Sequence, residues 1–386
     1  MRFTKENNGF QKYLPMIVFL IFIFGMGIWF ILVPKSDYSS NEKRYLQNFP
    51  EVSFDKISSG EFGSEFEAFF ADQFPKRDMW VGFNAYYSLY TGNNGANGVY
   101  NCDNGYLINK PVSVKNNLDK NIDVICNFAK QCNTPVSVML VPSTGYVVND
   151  VLPAVHNSYN DDSYFSSISK KLSDNQIPFV DLRSAFKNEY NNGKQLYYKT
   201  DHHWTTQGAY VGYTELCKQL GINAVAKDKF KIEQHDNFYG TTFSTSGFWN
   251  TQPDKIEIWT NPENSGENIG VKITEGANTT EANTMYFYKH LENDDKYPVF
   301  VDGNHALTEI TNTNAEGGTI LMIKDSFSHC IAPFIAENYS KVIMVDMRYY
   351  KDKMSTIIEK EKPVQILFMY GIDNLATDSD LVWLEM

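Results

Sequence analysis

An α/β fold built on a mainly parallel sheet is predicted by helix-then-strand units that recur at both ends of the sequence. Leu118, Ile122, Ile125, Ala129 and Cys132 share one helical face, and the continuous apolar run "VSVMLVP" follows at 136–142. The order repeats with Phe165, Ile168 and Leu172 before "IPFVDL" at 177–182. Nearer the C-terminus, "GTILMIK" (318–324), "KVIMVDM" (341–347) and "PVQILFMYG" (363–371) are strands separated by the helical stretches "SFSHCIAPFIAENY" and "KMSTIIEKEK". A strand with no polar alternation is buried on both faces, and alternation with helices makes the sheet parallel and covered on both sides.

Ahead of this core lies the apolar stretch "YLPMIVFLIFIFGMGIWFILVP" at 13–34, with 21 uncharged residues from Leu14 to Pro34. That length crosses a bilayer as one helix. Arg2, Lys5 and Lys12 precede it, which keeps residues 1–12 in the cytoplasm and sends the rest outside. The exit "WFILVPKSDYSS" has no small-x-small cleavage pattern, so an uncleaved single-pass anchor is expected.

Residues 35–95 read as a stalk followed by amphipathic helices. Phe62, Phe66, Phe69 and Phe70 form an i, i+4, i+7, i+8 stripe, and "KRDMWVGFNAYYSLYTG" is a second helix stopped by Gly92. Both are expected to pack on the main domain, which opens near residue 96 and runs to 386. Within it, residues 225–317 are polar, with strand-like alternation in "DKIEIWT" and "VKITEG", and are read as a β-rich insertion.

Charge narrows the function. With 34 basic and 46 acidic residues the chain carries −12, which argues against nucleic acid as partner. Cys102, Cys126, Cys132, Cys217 and Cys330 are dispersed, with neither a disulfide framework nor zinc-ligand spacing. No motif requires a cofactor.

Chemistry concentrates in two places. "YYKTDHHWTTQGAY" (197–210) places Asp201, His202, His203 and Trp204 side by side in a chain with seven histidines, just before the helical stripe of Ala209, Tyr213, Leu216 and Leu220. "IKDSFSHC" (323–330) places Ser326 where an apolar strand turns into a helix, at the carboxyl edge where open α/β sheets hold their sites. A serine nucleophile needs an imidazole base and a carboxylate to fix the imidazole's tautomer. Asp201, His203 and Ser326 are the catalytic residues this logic selects, with no metal. A metal reading of Asp201-His202-His203 stays open beside it, because "DHH" also occurs in manganese phosphoesterases. Trp204, Ser143 and Tyr146 are weaker candidates for substrate binding, with Asn374 behind them.

The residues also carry a resemblance. "TDHHW", with "FADQFPKRDMW", "NGVY", "GYLI", "LVPSTGY", "YGTTFS" and "DSFS", is similar to the DHHW family of membrane-anchored bacterial surface proteins. That family resembles SGNH-type hydrolases, near the alginate O-acetyltransferases. The resemblance implies an SGNH hydrolase-like three-layer α/β/α domain and a triad of Asp201, His203 and Ser326. It implies acetyl transfer or hydrolysis on a surface or exported polysaccharide, and a multi-span membrane acyltransferase as the source of acetyl groups. Lys324-Asp325 stands before the serine where Gly-Asp or Gly-Thr is commoner. The competing function is a catalytically idle glycan-binding or assembly component of the same envelope system.

Overall fold

The computed structural model describes residues 9–112 and 115–384, so Arg2 and Lys5 of the orientation argument lie outside the described residues. The chain divides into two compact units, Met1–Tyr87 and Ser88–Met386.

In the first unit an α-helix runs from Gly9 to Leu32 and includes an apolar stretch, Lys12–Leu32, long enough to cross a membrane. It stops short of the expected Pro34 because the ring of a proline disfavours helical geometry in the residue before it. Short helices follow at Phe54–Ser59, Glu61–Asp72 and Arg77–Tyr90. Of the phenylalanine stripe only Phe69 is buried, in edge contact with Phe30 and Phe49, while Phe66 and Phe70 remain exposed.

The second unit is built on an eight-stranded sheet. In chain order its strands are β1 (Val136–Val141), β2 (Phe179–Asp181), β3 (Ile269–Glu275), β4 (Asn278–Ala282), β5 (Leu307–Asn312), β6 (Gly317–Lys324), β7 (Tyr339–Val345) and β8 (Gln365–Gly371). Across the sheet they lie in the order β4-β3-β5-β7-β6-β8-β1-β2. The run from β7 to β2 is parallel throughout, and β5, β3 and β4 add antiparallel strands at one side.

Side-chain alternation then builds two cores. Met139, Ile320, Met322, Val342, Met344, Leu367 and Met369 face one core, shared with Leu216 and Phe334 of the helices Thr206–Leu220 and Ser328–Ile335. Their sequence neighbours, Val138, Leu140, Leu321, Ile323, Ile343 and Phe368, face the other, packed on Ile122, Ile125, Phe165 and Leu172. Helices therefore cover both faces, and the fold is a three-layer α/β/α sandwich with a mainly parallel sheet. The stretch 225–317 is woven into it: β3, β4 and β5 extend the main sheet, while Lys231–Phe238 and Asp254–Thr260 pair as a separate ribbon. Alternation in "VKITEG" is the mark of an antiparallel strand with one wet face, here at the sheet's flank.

Candidate active site

The DHHW loop is closed at its base by backbone pairing. Tyr197 bridges Trp204, and the amides of Tyr198 and Thr205 donate to His203 O (3.2 Å) and Leu196 O (2.8 Å). Asp254, at the start of the ribbon strand, accepts from the amides of Lys199 (3.0 Å) and Thr200 (2.7 Å) and so fixes the approach to the loop. The helix that follows is capped by the Thr205 hydroxyl, which accepts from Gly208 N (3.1 Å), and ends on Gly221 with φ 69°.

Ser326 sits in the turn after β6. Asp325 shapes that turn from within, its carboxylate accepting from the amides of Phe327 (2.9 Å) and Gly371 (2.8 Å) and from Asn374 Nδ2 (2.7 Å). The bond to Gly371 ties the turn to the carboxyl end of β8. Burial raises the Asp325 carboxyl, and these three donors oppose the rise. Among the described residues the Ser326 amide donates to no protein acceptor.

The two loops meet although 123 residues separate them. Ser326 Oγ donates to His203 Nε2 (2.7 Å), and His203 Nδ1 donates to Asp201 Oδ1 (2.5 Å). Asp201 is bound further by His203 N (2.8 Å) and by Thr241 N (2.7 Å) and Oγ1 (3.2 Å). Burial alone would raise its carboxyl. The neighbouring imidazoles of His203 and His202 and the hydrogen bonds from His203 outweigh burial and hold it well below the ordinary carboxylate range. An ionised Asp201 facing Nδ1 leaves Nε2 as the acceptor that a serine proton requires.

The imidazole of His203 is clamped between rings. It stacks on Tyr297 (centroids 3.9 Å apart, 9° between planes) and meets Phe327 edge-on (5.1 Å). Gly240 allows Asp201 to lie against the backbone, since a Cβ there would stand 2.1 Å from Asp201 Cβ. Gly240→Ala is accordingly expected to displace the carboxylate and cut any turnover that depends on Ser326 about 10-fold or more, while the unfolding midpoint moves much less. Parallel kinetic and urea-unfolding measurements on the one variant check this.

Asp201, His203 and Ser326 open into a cleft of about 420 Å³, also lined by Tyr297, Asn304, His329 and Arg348. Behind Ser326, the buried Lys324 ammonium donates to Asp346 Oδ2 (3.0 Å) and His329 Nε2 (2.9 Å). Arg348 clasps the same Asp346 through Nε (2.9 Å) and Nη2 (2.6 Å). His329 Nε2 thus accepts a hydrogen bond from the lysine rather than from Ser326, and burial lowers its basicity far below the usual imidazole value.

The weaker candidates fare differently. Trp204 is wholly buried and its indole N–H donates to Phe327 O (3.0 Å), so it braces the two loops and has no face left for a sugar. Ser143 is also buried, its hydroxyl committed to Asp373 Oδ1 (3.1 Å), and it lines a small neighbouring pocket rather than the cleft with Ser326. Tyr146 is buried with its hydroxyl on Asp162 and lines neither space. Asn374 is held by Asp325.

Asp201, His202 and His203 each offer a ligand atom, all within 4.8 Å of one another. His202 Nδ1 is already paired with Thr241 Oγ1 (2.6 Å), and a cation drawing on His203 Nδ1 would displace its bond to Asp201. Metal binding and the Asp–His–Ser chain compete for one imidazole. Burial, and then the charge of His203, lower His202 to about 4, so it is neutral near pH 7.

Sequence reasoning missed Thr241, Tyr297, Asp346 and Arg348. "YGTTFS" contains Thr241 and the strand "KVIMVDM" contains Asp346, but neither carries a signal for a place at the site.

No curated protein sequence matches the chain. Among solved structures, a DHHW family protein from Eubacterium siraeum is 19% identical with TM-score 0.62, covering 75% of this chain and 97% of that one. Bacillus cereus PatB1, solved with a sulfonyl adduct, is 21% identical with TM-score 0.61, covering 73% and 97%. The O-acetyltransferase domain of Pseudomonas putida AlgJ is 13% identical at TM-score 0.49, covering 75% and 95%. The first two likenesses bear on the fold alone, the three-layer α/β/α sandwich with a mainly parallel sheet. The family profile described as "DHHW protein" matches residues 110–345, more than half of the sequence. The chain belongs to the DHHW family.

Proposed function

We propose that this protein is a membrane-anchored, extracytoplasmic serine acyltransferase or esterase acting on a cell-surface or exported polysaccharide. The observation that carries the reading is the hydrogen-bonded chain Asp201–His203–Ser326 at the carboxyl edge of a parallel sheet. In the proposed cycle His203 Nε2 takes the Ser326 proton as Oγ attacks an acyl carbonyl. The same nitrogen then returns that proton to the leaving group, and acyl–serine remains. A sugar hydroxyl attacking this ester completes transfer, and water completes hydrolysis.

Acetyl as the acyl group and polysaccharide as its acceptor follow from the motif resemblance. Transfer would draw acetyl groups from the multi-span membrane acyltransferase that the resemblance implies. PatB1, a fold relative that carries a sulfonyl adduct, agrees with a nucleophile on this scaffold.

The test is the intermediate. Incubated with p-nitrophenyl acetate and quenched in acid, the protein is expected to gain one acetyl group on the peptide holding Ser326. A folded protein that neither releases p-nitrophenol nor acquires the acetyl group leaves the glycan-binding role in its place. The location has its own check: with the N-terminus inside, a cysteine introduced at exposed Val155 should react with an impermeant maleimide on intact cells. Protection of that cysteine until lysis would remove the surface reading.

A further inference from the structure

The helix Arg77–Tyr90 is apolar on both sides. Gly82 and Ala85 are buried, and at 100° per residue they mark its packed side. The opposite side carries Met79, Phe83 and Tyr87, which are 54%, 62% and 54% exposed. A helix side that faces water ordinarily carries polar groups; an exposed apolar side such as this one faces a partner or lipid.

These side chains belong to a continuous aromatic row that begins at the membrane-crossing helix. Phe30, near the end of that helix, lies 4.9 Å from the Phe70 ring, and Phe70 lies 5.8 Å from Phe74. Phe74 meets Trp80 (6.4 Å), Trp80 meets Phe83 (6.4 Å), and Phe83 stacks on Tyr87 (6.0 Å). The row is thus in direct contact with the point where the apolar helix ends.

Several charged groups of this unit pair with one another, and the Lys35 ammonium lies over the Phe30 ring (3.6 Å). Arg44 binds Asp72, Arg77 binds Glu42, and Lys56 binds Glu65. Residues 35–87 hold 6 basic and 9 acidic side chains, so attraction to anionic headgroups does not drive contact. What the row offers is aromatic surface, the kind of side chain that settles at the boundary of headgroups and acyl chains.

We propose that the row from Phe70 to Tyr87 lies in the headgroup–acyl boundary of the bilayer that the helix Gly9–Leu32 crosses, with phospholipid as its occupant. The proposal rests on reading that helix as an anchor. Residues 54–87 then form a membrane-surface platform, and the aromatic stripes that the sequence assigned to domain packing are lipid contacts.

The full chain in phosphatidylcholine nanodiscs tests this. Photoreactive p-benzoylphenylalanine is placed singly at positions 70, 83, 22 and 364. Position 22 lies in the apolar helix, and Val364 is an exposed apolar residue of the second unit. After irradiation, peptides holding positions 70 and 83 are expected to gain the mass of one phospholipid, as position 22 does, and position 364 is not. Lipid at 22 with none at 70 and 83 overturns the proposal while leaving the anchor standing. Crosslinks from 70 or 83 to residues beyond 88, to a second copy or to another protein replace lipid with that occupant and overturn it too. Absence of lipid at 22 removes the anchor and the proposal together.

Discussion

Ser326→Ala is expected to lower turnover of p-nitrophenyl acetate by about 10⁴-fold or more, and His203→Ala by a similar factor, because residues that act as a unit fail as a unit. The double variant should then be hardly worse than either alone. Asp201→Asn should cost about 10⁴-fold or somewhat less, since an amide favours the wrong tautomer of His203 without removing its ring. His202→Ala is the discriminating control. Its imidazole reaches Thr241 rather than Ser326, so the loss should be far smaller, and turnover should survive a chelator. Chelator-sensitive activity with His202→Ala as damaging as His203→Ala would transfer the site to a metal. Steady-state kinetics on variants that keep their urea midpoint give the answer.

Asp346→Ala should produce the largest loss of stability among single substitutions near the site. The carboxylate is buried and holds both Lys324 Nζ (3.0 Å) and Arg348 Nη2 (2.6 Å). Arg348 is 39% exposed and can turn to solvent, whereas Lys324 is left buried without a counter-charge. Removing one member of a buried pair typically costs about 3–5 kcal/mol. Lys324→Met combined with Asp346→Leu should cost less than Asp346→Ala alone, because no unpaired charge then remains. The pair also sets an acid limit. Burial would raise the Asp346 carboxyl, but Arg348 and Lys324 hold it below its ordinary value. Its stabilisation is therefore complete above the ordinary carboxylate range and lost as pH falls through the lower folded value. Urea midpoints of wild type and Asp346→Ala should converge at acid pH and separate toward neutrality.

The parallel part of the fold was legible because each strand is a short apolar run between helical stripes, a pattern set by neighbours in sequence. Asp201 and His203 were legible for the same reason: they lie in one loop, and Ser326 marks a strand-to-helix turn. What the sequence hid depends on distant pairing. Thr241 supports Asp201 from the start of the short helix Thr241–Ser246 that follows the ribbon strand Lys231–Phe238, and Tyr297 reaches His203 from a single turn of 3₁₀ helix at Tyr297–Val299. Neither position has a periodic signature. Trp204 has a residue type that fits either a sugar platform or a core tryptophan supporting the loop, and its burial fits the second. The stretch 225–317 was readable as β-structure, but joining the main sheet requires pairing β5 to β7, which no local signal states.

One consequence lies in the order in which the chain can fold. β8, last of the sheet strands in sequence, inserts between β6 and β1, where Gln365 Nε2 donates to Ser137 Oγ across 228 residues (2.7 Å). Domains emerge N-terminus first during synthesis, and long-range parallel pairing forms late. Until β8 arrives, β6 and β1 have no strand between them, and Asp325 lacks the Gly371 amide that shapes the serine's turn. A chain stalled or clipped before β8 is therefore expected to leave the turn that holds Ser326 without the tie to Gly371 that sets it.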